Sequence, residues 1–387
     1  MKSVELFAGA GGLAMGVGRA GFTHEAVVER NAYACDTIVE NQARGLREVC
    51  RWPLFQEDVR HFDYGSIRGP VDLLAGGPPC QPFSLGGKHA GFRDDRDMFP
   101  EVARAVRLLQ PRAILVENVK GLLRQSFFKY FEYILLSLTF PELDRKRNED
   151  WLGHLGRLER VKTKGDYRGL EYNVVFRLLN AADYGVPQRR ERVIIVGFRK
   201  DLGIEWSFPR PSHSQDALLR SEWITEEYWD RHRVAKKHRP MPTSDVLGRL
   251  SRLPLDDADQ DTAPWLTVRD VIADLPDPRR RADDGEFFNH VFNPGARVYK
   301  GHTGSPLDEP AKTLKAGDHG VPGGENMLAY PNGDVRYFTV RESARLQTFP
   351  DKFVFHGSWT ESMRQLGNAV PVRLGEAVAR DVAACLA

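Results

Sequence analysis

From residue 3 to about residue 198, short apolar runs alternate with amphipathic stretches, and this alternation narrows the fold more than any other feature of the chain. Runs at 3–7, 24–29, 71–76, 113–117, 172–179 and 192–198 read as strands. Helical spacing fits 12–20 after the first run, 32–42 after the second and 98–109 ahead of the fourth. Strands separated by helices must cross over to stay in one sheet, so the pattern predicts an α/β fold with a doubly wound, mostly parallel sheet. The most apolar later stretch, 133–140, is far short of the roughly 20 residues that span a bilayer, and a buried helix is predicted there.

Beyond Arg199 the composition shifts toward Pro, Trp, His and charge, and periodicity weakens until about residue 340. A chain of 387 residues is too long for one ordinary core, so this stretch predicts a second domain or a large insertion. Within it, residues 229–254 hold seven Lys or Arg against two acids, whereas 256–286 hold ten acids against four bases. The whole chain carries 55 Lys+Arg against 53 Asp+Glu, a net charge of +2, so total charge does not mark a nucleic-acid binder and only local charge can supply such a face. From residue 360 the sequence is helical again, with apolar residues of 372–386 at helical spacing.

The cysteines at 35, 50, 80 and 385 show no Cys-x-x-Cys spacing and no nearby His pair, so no metal site is read, and a reducing cytoplasm fits. Glu5 and the glycines at 9, 11 and 12 interrupt any apolar core of a secretory signal, and none is predicted. A free cysteine is usually a small buried hydrophobe, which suits Cys35, Cys50 and Cys385.

Four local patterns carry chemistry. Residues 5–14, ELFAGAGGLA, pass from strand through a glycine turn into a helix, with Gly9, Gly11 and Ala14 at the spacing of a nucleotide-binding turn. Glu29 follows 20 residues after Gly9, at the end of the second strand, where a carboxylate holds ribose hydroxyls. Asp58, before Val59, can accept from an adenine amino group. These residues alone do not separate NAD, FAD and S-adenosylmethionine. Residues 76–84, GGPPCQPFS, place Cys80 between prolines at the carboxyl end of a strand, where such folds bind ligands. An ordinary thiol is only about 3% ionised at pH 7, so a nucleophilic Cys80 needs positive or hydrogen-bonding neighbours. Residues 116–119, VENV, bring Glu117 to the same edge as a general acid. Residues 188–192, QRRER, point Arg190 and Arg192 one way along a strand, suited to an anion or a polar base edge.

In this order, the motifs resemble those of the DNA (cytosine-5)-methyltransferase family of the bacterial restriction-modification type. Residues 341–351, RESARLQTFPD, and 367–371, GNAVP, resemble its two closing motifs. The resemblance spans essentially the whole chain. It implies an S-adenosylmethionine-dependent methyltransferase fold, with 1–199 plus 361–387 as the catalytic and cofactor-binding domain and 200–360 as a smaller inserted target-recognition domain. It implies Cys80, Glu117, Arg190 and Arg192 as catalytic residues. Phe7, Ala8, Gly9, Gly11, Gly12, Leu13, Glu29, Arg30, Asp58, Val59, Pro79, Met98, Asn368 and Ala369 would hold S-adenosylmethionine. Glu5 replaces the aspartate common at its position, and 84–96 resembles a loop that closes over DNA.

The activity implied is methyl transfer to carbon 5 of a cytosine in a specific double-stranded DNA sequence, by base flipping and a covalent Cys80 adduct, with S-adenosylhomocysteine as product and no metal. The alternative is an RNA cytosine-5 methyltransferase of the same fold. The expected setting is a monomer in the bacterial cytoplasm, acting on nucleoid DNA, with no membrane contact and a cognate restriction endonuclease on the same site. The basic run 231–239 is the candidate phosphate-facing segment.

Overall fold

The computed structural model describes residues 1–79, 97–253, 261–280, 287–300, 302–316 and 326–387. The first part alternates β1 (Lys2–Leu6), α1 (Gly12–Arg19), β2 (Thr23–Glu29), α2 (Ala32–Ala43), β3 (Leu54–Gln56), β4 (Leu73–Gly76), α3 (Phe99–Leu109) and β5 (Ala113–Val119). Two helices, α4 (Phe128–Thr139) and α5 (Trp151–Lys164), precede β6 (Tyr172–Asn180) and β7 (Glu191–Arg199). The seven strands form one sheet in the order β3-β2-β1-β4-β5-β7-β6. The pairings among β1 to β5 are parallel, whereas β7 runs antiparallel to both β5 and β6. The predicted strands are thus present, most with ends moved by one or two residues.

Strands buried on both faces must be apolar at successive positions. In β5, Ile114 and Val116 join one core with Val102 and Val106 of α3 and Ile134 and Leu138 of α4. Ala113 and Leu115 point the other way, into a core with Leu13 and Val17 of α1. The stretch predicted as a buried helix is the second half of α4. Cys35 is buried, but Cys50 and Cys385 are exposed, contrary to the buried reading of all three. Cys385 falls between the buried positions of the last helix and so meets solvent.

The second part contains β8 (His213–Ser214), α6 (Gln215–Trp223), α7 (Glu227–Arg231), α8 (Ser244–Leu250), β9 (Ala263–Pro264) and α9 (Val268–Ile272). It continues with β10 (Ser305–Pro306), β11 (Met327–Ala329), β12 (Val335–Tyr337) and α10 (Val340–Leu346). Tyr228, Trp229 and Trp265 pack with Leu218 in a small core of their own. Val268, Leu314, Leu328, Phe338, Leu346 and Phe353 instead join Ala10, Met15 and Trp52 in one buried cluster. The chain closes with α11 (Trp359–Asn368) and α12 (Val372–Leu386). Leu374, Val378, Val382 and Leu386 recur every fourth position on α12 and are buried in the core shared with α1. An added Cβ at Gly16 would stand 2.6 Å from the Glu376 nitrogen, so the two helices meet at backbone distance.

The motif at 341–351 is a stack of internal clamps. Arg341, fully buried, donates to the carbonyls of Phe288, Pro350 and Phe353, and burial pulls its pKa down to about 10. Glu342 caps α10 at the Thr339 nitrogen (2.8 Å) and takes both Nη atoms of Arg336 at 2.6 Å. Arg345 pairs with Asp274 and Asp351, and Gln347 donates to the Leu366 carbonyl at 2.5 Å.

Buried His24 ties β1 and β2 to α1. Its Nδ1 is 3.0 Å from Ser3 Oγ and its Nε2 2.9 Å from the Ala14 carbonyl, while its ring meets Trp52 edge-on at 5.2 Å. Burial lowers its pKa to about 4, below the ordinary 6.5. Between these values the unfolded chain takes up a proton that the folded chain refuses, so stability falls as pH drops through this window. The folded state should lose about 3 kcal/mol on this account between pH 7 and pH 4, at about 1.4 kcal/mol per pKa unit. Urea midpoints measured across that range should fall more steeply in the parent than in His24→Gln; equal slopes would refute the assignment.

Candidate active site

The carboxyl ends of β1, β2, β4 and β5 share one edge of the sheet with the start of β7, because antiparallel β7 enters where its neighbours leave. Val119 pairs with Arg192 and Glu117 with Ile194. At this edge lies a cavity of about 580 Å3. Its lining includes Phe7, Ala8, Gly9, Leu13, Glu29, Arg30, Asp58, Val59, Pro79, Met98, Glu117, Arg190, Arg192, Asn368 and Ala369. Residues that are scattered through the sequence, from the first strand to the end of α11, are thereby brought together. Cys80 lies outside the described residues, as does the run 84–96; Pro79, its chain neighbour, is part of the wall.

The turn after β1 is held by unusual backbone. Phe7 has φ +55° and Gly9 φ +55°, and a left-handed non-glycine residue such as Phe7 costs about 1–3 kcal/mol. The Gly9 nitrogen donates to Glu29 Oε2 at 2.7 Å, and the Asn31 nitrogen donates to Glu29 Oε1 at 2.7 Å. One carboxylate thus joins the turn to the start of α2, with lone pairs left for further donors. Asp58 accepts from Arg60 Nη2 at 2.7 Å and from Arg30 Nη1 at 3.3 Å, and these guanidinium groups hold its carboxyl far below the usual range.

Gly11 and Gly12, expected to touch a cofactor, are not among the cavity's lining residues. A Cβ on Gly11 would stand 2.5 Å from the Trp52 ring, and one on Gly12 would stand 2.3 Å from the Val370 carbonyl. These glycines let the turn pack against its supports.

Glu117 and Arg192 form an ion pair, with Nε 2.7 Å from Oε1 and about a tenth of each side chain exposed. A Cβ at Gly77 would come within 3.1 Å of Glu117 Oε2, so a bare backbone there leaves the carboxylate its room. Asn118 Nδ2 donates to the Pro78 carbonyl at 3.1 Å and fixes the chain that leads to Cys80. Arg190 is completely buried; Nη1 donates to the Leu314 carbonyl at 3.1 Å and Nη2 to the Gly367 carbonyl at 2.7 Å. Gln188 accepts from the Leu314 nitrogen at 2.9 Å. The 188–192 motif therefore turns Arg192 toward the acid, while Gln188 and Arg190 tie the segment near Leu314 to the sheet.

Among the lining residues that sequence reasoning left without a role are Glu5, Glu361, Arg364 and Gln365. Glu5 is buried, its Oε2 has no hydrogen-bond partner, and burial raises its pKa well above the usual value. A lone carboxyl inside an apolar strand was the available signal. Glu361, Arg364 and Gln365 line the cavity from α11, with Arg364 Nη1 3.2 Å from Glu361 Oε1. Their spacings of seven, four and three residues from Asn368 put them on one helix face.

The basic run is largely neutralised within its own segment. Arg231 pairs with Asp270, Lys236 with Glu226, and Arg239 with Glu226 and Asp230. Among the described residues no group of His, Cys, Asp and Glu is arranged to hold a metal, and no helix is long and apolar enough to cross a membrane.

The family model for C-5 cytosine-specific DNA methylases matches residues 1–141 and 159–384. The chain belongs to this family. It is 33% identical to the Type II methyltransferase M.Eco47II of Escherichia coli, over 98% of this chain and 78% of that protein. It is 31% identical to the Type II methyltransferase M.NgoMIV of Neisseria gonorrhoeae, over 98% of this chain and 96% of that protein. Among solved structures, the Dnmt2 methyltransferase of S. pombe aligns with a TM-score of 0.54 and 16% identity, covering 100% of this chain and 98% of that one, a likeness of fold. As a C-5 cytosine-specific DNA methylase, the chain is an enzyme of methyl transfer, and the Glu117–Arg192 pair lies on the wall of the cavity at the sheet edge.

Gly12→Ala should lower the urea unfolding free energy by about 1–3 kcal/mol, since the new methyl meets backbone that cannot move freely. Gly18→Ala, whose nearest atom is 3.7 Å away, should be neutral or stabilising. Equal stability of the two variants would contradict this packing role for Gly12.

Proposed function

We propose that this enzyme uses S-adenosylmethionine to methylate carbon 5 of a cytosine within a specific double-stranded DNA sequence. The observation that carries the reading is the Glu117–Arg192 pair on the wall of a cavity that also holds Phe7, Glu29, Asp58 and Pro79. The donor set suits an adenosine with an amino-acid tail: an aromatic ring at Phe7, a two-oxygen acceptor at Glu29, an acceptor at Asp58, and the orphan carboxyl of Glu5. Gly11 and Gly12 are assigned a supporting part.

Carbon 5 of cytosine is a poor nucleophile and lies inside the stack, so the base must be extruded, at a cost of roughly a few kcal/mol. Cys80 thiolate adds to carbon 6 while the Glu117 carboxyl bonds to or protonates ring nitrogen 3, making carbon 5 electron-rich. S-adenosylmethionine, when bound, supplies the methyl group and leaves as S-adenosylhomocysteine. Transfer of the carbon 5 proton to a base, with water as the acceptor, then expels Cys80 as thiolate, returns any nitrogen 3 proton to Glu117 and restores the ring. Arg192 orients Glu117, and Arg190 acts by holding the segment near Leu314 in place.

Residues 200–360 are proposed to select the target, with 1–199 and 361–387 as the catalytic body. Phosphate contact by the 231–239 run would require its ion pairs to open, most easily the exposed Lys236–Glu226 pair, since exposed pairs contribute little to stability. The named relatives, Type II methyltransferases, support a protective role in a bacterial restriction-modification system; the proposed setting adds a monomer in the cytoplasm and an endonuclease of the same specificity.

Cys80→Ala should keep its affinity for S-adenosylmethionine and lose methyl transfer to duplex DNA by about 1,000-fold or more, equivalent to about 4 kcal/mol of barrier. Calorimetry and a labelled-methyl assay read the two effects separately. Near-normal transfer would overturn the assignment, and transfer by the parent enzyme to transfer RNA but not duplex DNA would favour the RNA alternative.

A further inference from the structure

A second cavity, of about 410 Å3, lies between α3, α4 and α5. Its size falls within the range of small-molecule sites, roughly 300–1,000 Å3. Tyr130 and Tyr133 of α4 and Trp151 of α5 wall it with rings; Trp151 lies 5.3 Å from Tyr130 and 5.8 Å from Tyr133, centroid to centroid. Tyr130 donates its hydroxyl hydrogen to Asp97, and Tyr133 Oη is 3.0 Å from His154 Nδ1.

The charges of the lining are nearly all spent. Arg60 pairs with Asp58 at 2.7 Å, Arg104 with Glu101 at 2.6 Å and Arg107 with Asp144 at 2.6 Å. The Arg145 backbone nitrogen donates to Asp144 Oδ1 at 3.0 Å, but among the described residues its guanidinium makes no ion pair, and its charge acts on both tyrosine hydroxyls, opposing the rise that burial imposes on them. The site therefore joins an aromatic lining, in which Tyr130 and Tyr133 are each less than a tenth exposed, to the exposed Arg145 guanidinium. Aromatic faces favour a flat ring, and a guanidinium grips a carboxylate or phosphate through paired N–H donors.

Part of this wall lies between the two matched stretches of the family model. The family match omits residues 142–158, the stretch that contributes Arg145, Trp151 and His154. Met98 lines both cavities, so the second site shares a wall with the first.

We propose that this cavity is a second ligand site, for a small planar aromatic anion whose ring lies against Tyr130, Tyr133 and Trp151 and whose anionic group meets Arg145. Aromatic carboxylates and nucleoside monophosphates both have this chemistry. The test uses the full chain with S-adenosylhomocysteine present in excess to fill the first cavity. Calorimetric titration with 1-naphthoate and with adenosine 5′-monophosphate is compared with the uncharged 1-naphthamide and adenosine. At least one anion should bind at one site per chain, about tenfold more tightly than its neutral counterpart. Arg145→Ala should erase that preference while leaving the unfolding midpoint and S-adenosylhomocysteine affinity unchanged, and Arg145→Lys should restore part of it. Saturable binding by neither anion, or an anion preference that survives Arg145→Ala, overturns the proposal. Failure of the parent chain to bind S-adenosylhomocysteine would count against the cofactor reading instead, and the same titrations without it would still test this cavity.

Discussion

The ion pair between Glu117 and Arg192 is the interaction around which the rest of the site is arranged. It joins the end of β5 to the start of β7, and it exists because β7 runs antiparallel to its neighbour and delivers Arg192 to the edge where β5 delivers Glu117. With about a tenth of each side chain exposed, removing one partner leaves the other charge without its counter-ion on the cavity wall. The pair fixes where an acid stands relative to the chain leading into Cys80. Gly77 leaves it room and Asn118 anchors the adjacent prolines.

Around this pair the supports come from distant parts of the chain. Arg190 spans from β7 to the carbonyls of Leu314 and Gly367, and α12 packs at backbone distance on α1 through Gly16. His24 and Trp52 brace the turn that follows β1. Residues near 314 and 340–355 share a buried cluster with that turn, so the segment after β7 contributes to the cavity's frame as well as to the molecule's outer surface.

The sheet was legible in the sequence because strands buried on both faces must be continuous apolar runs, and their ends are marked by Gly, Pro or charge. The cavity was largely legible because its residues occur as short motifs at strand ends; Phe7, Glu29, Asp58 and Glu117 stand where the strand pattern puts them. What motifs do not encode is which of several adjacent residues faces the ligand. Gly11 and Gly12 lie within the glycine turn yet face Trp52 and Val370, a distinction set by packing with residues about 40 and 360 positions away. Arg190, just before β7, and Arg192, within it, are two residues apart and serve different partners. The polarised charge after residue 229 resolved into local ion pairs, such as Arg231 with Asp270, that only folding brings together.

The central claim is that cytosine is activated by covalent attack from Cys80 together with the carboxyl of Glu117. The most direct measurement is incubation of the enzyme and S-adenosylmethionine with a target duplex carrying 5-fluorocytosine, followed by mass spectrometry of the proteolysed complex. Fluorine cannot leave as the carbon 5 proton does, so the account predicts a stable DNA adduct on the peptide containing Cys80, bearing the transferred methyl group. Normal methylation of the cytosine duplex with no adduct at Cys80 on the fluorinated one would contradict it.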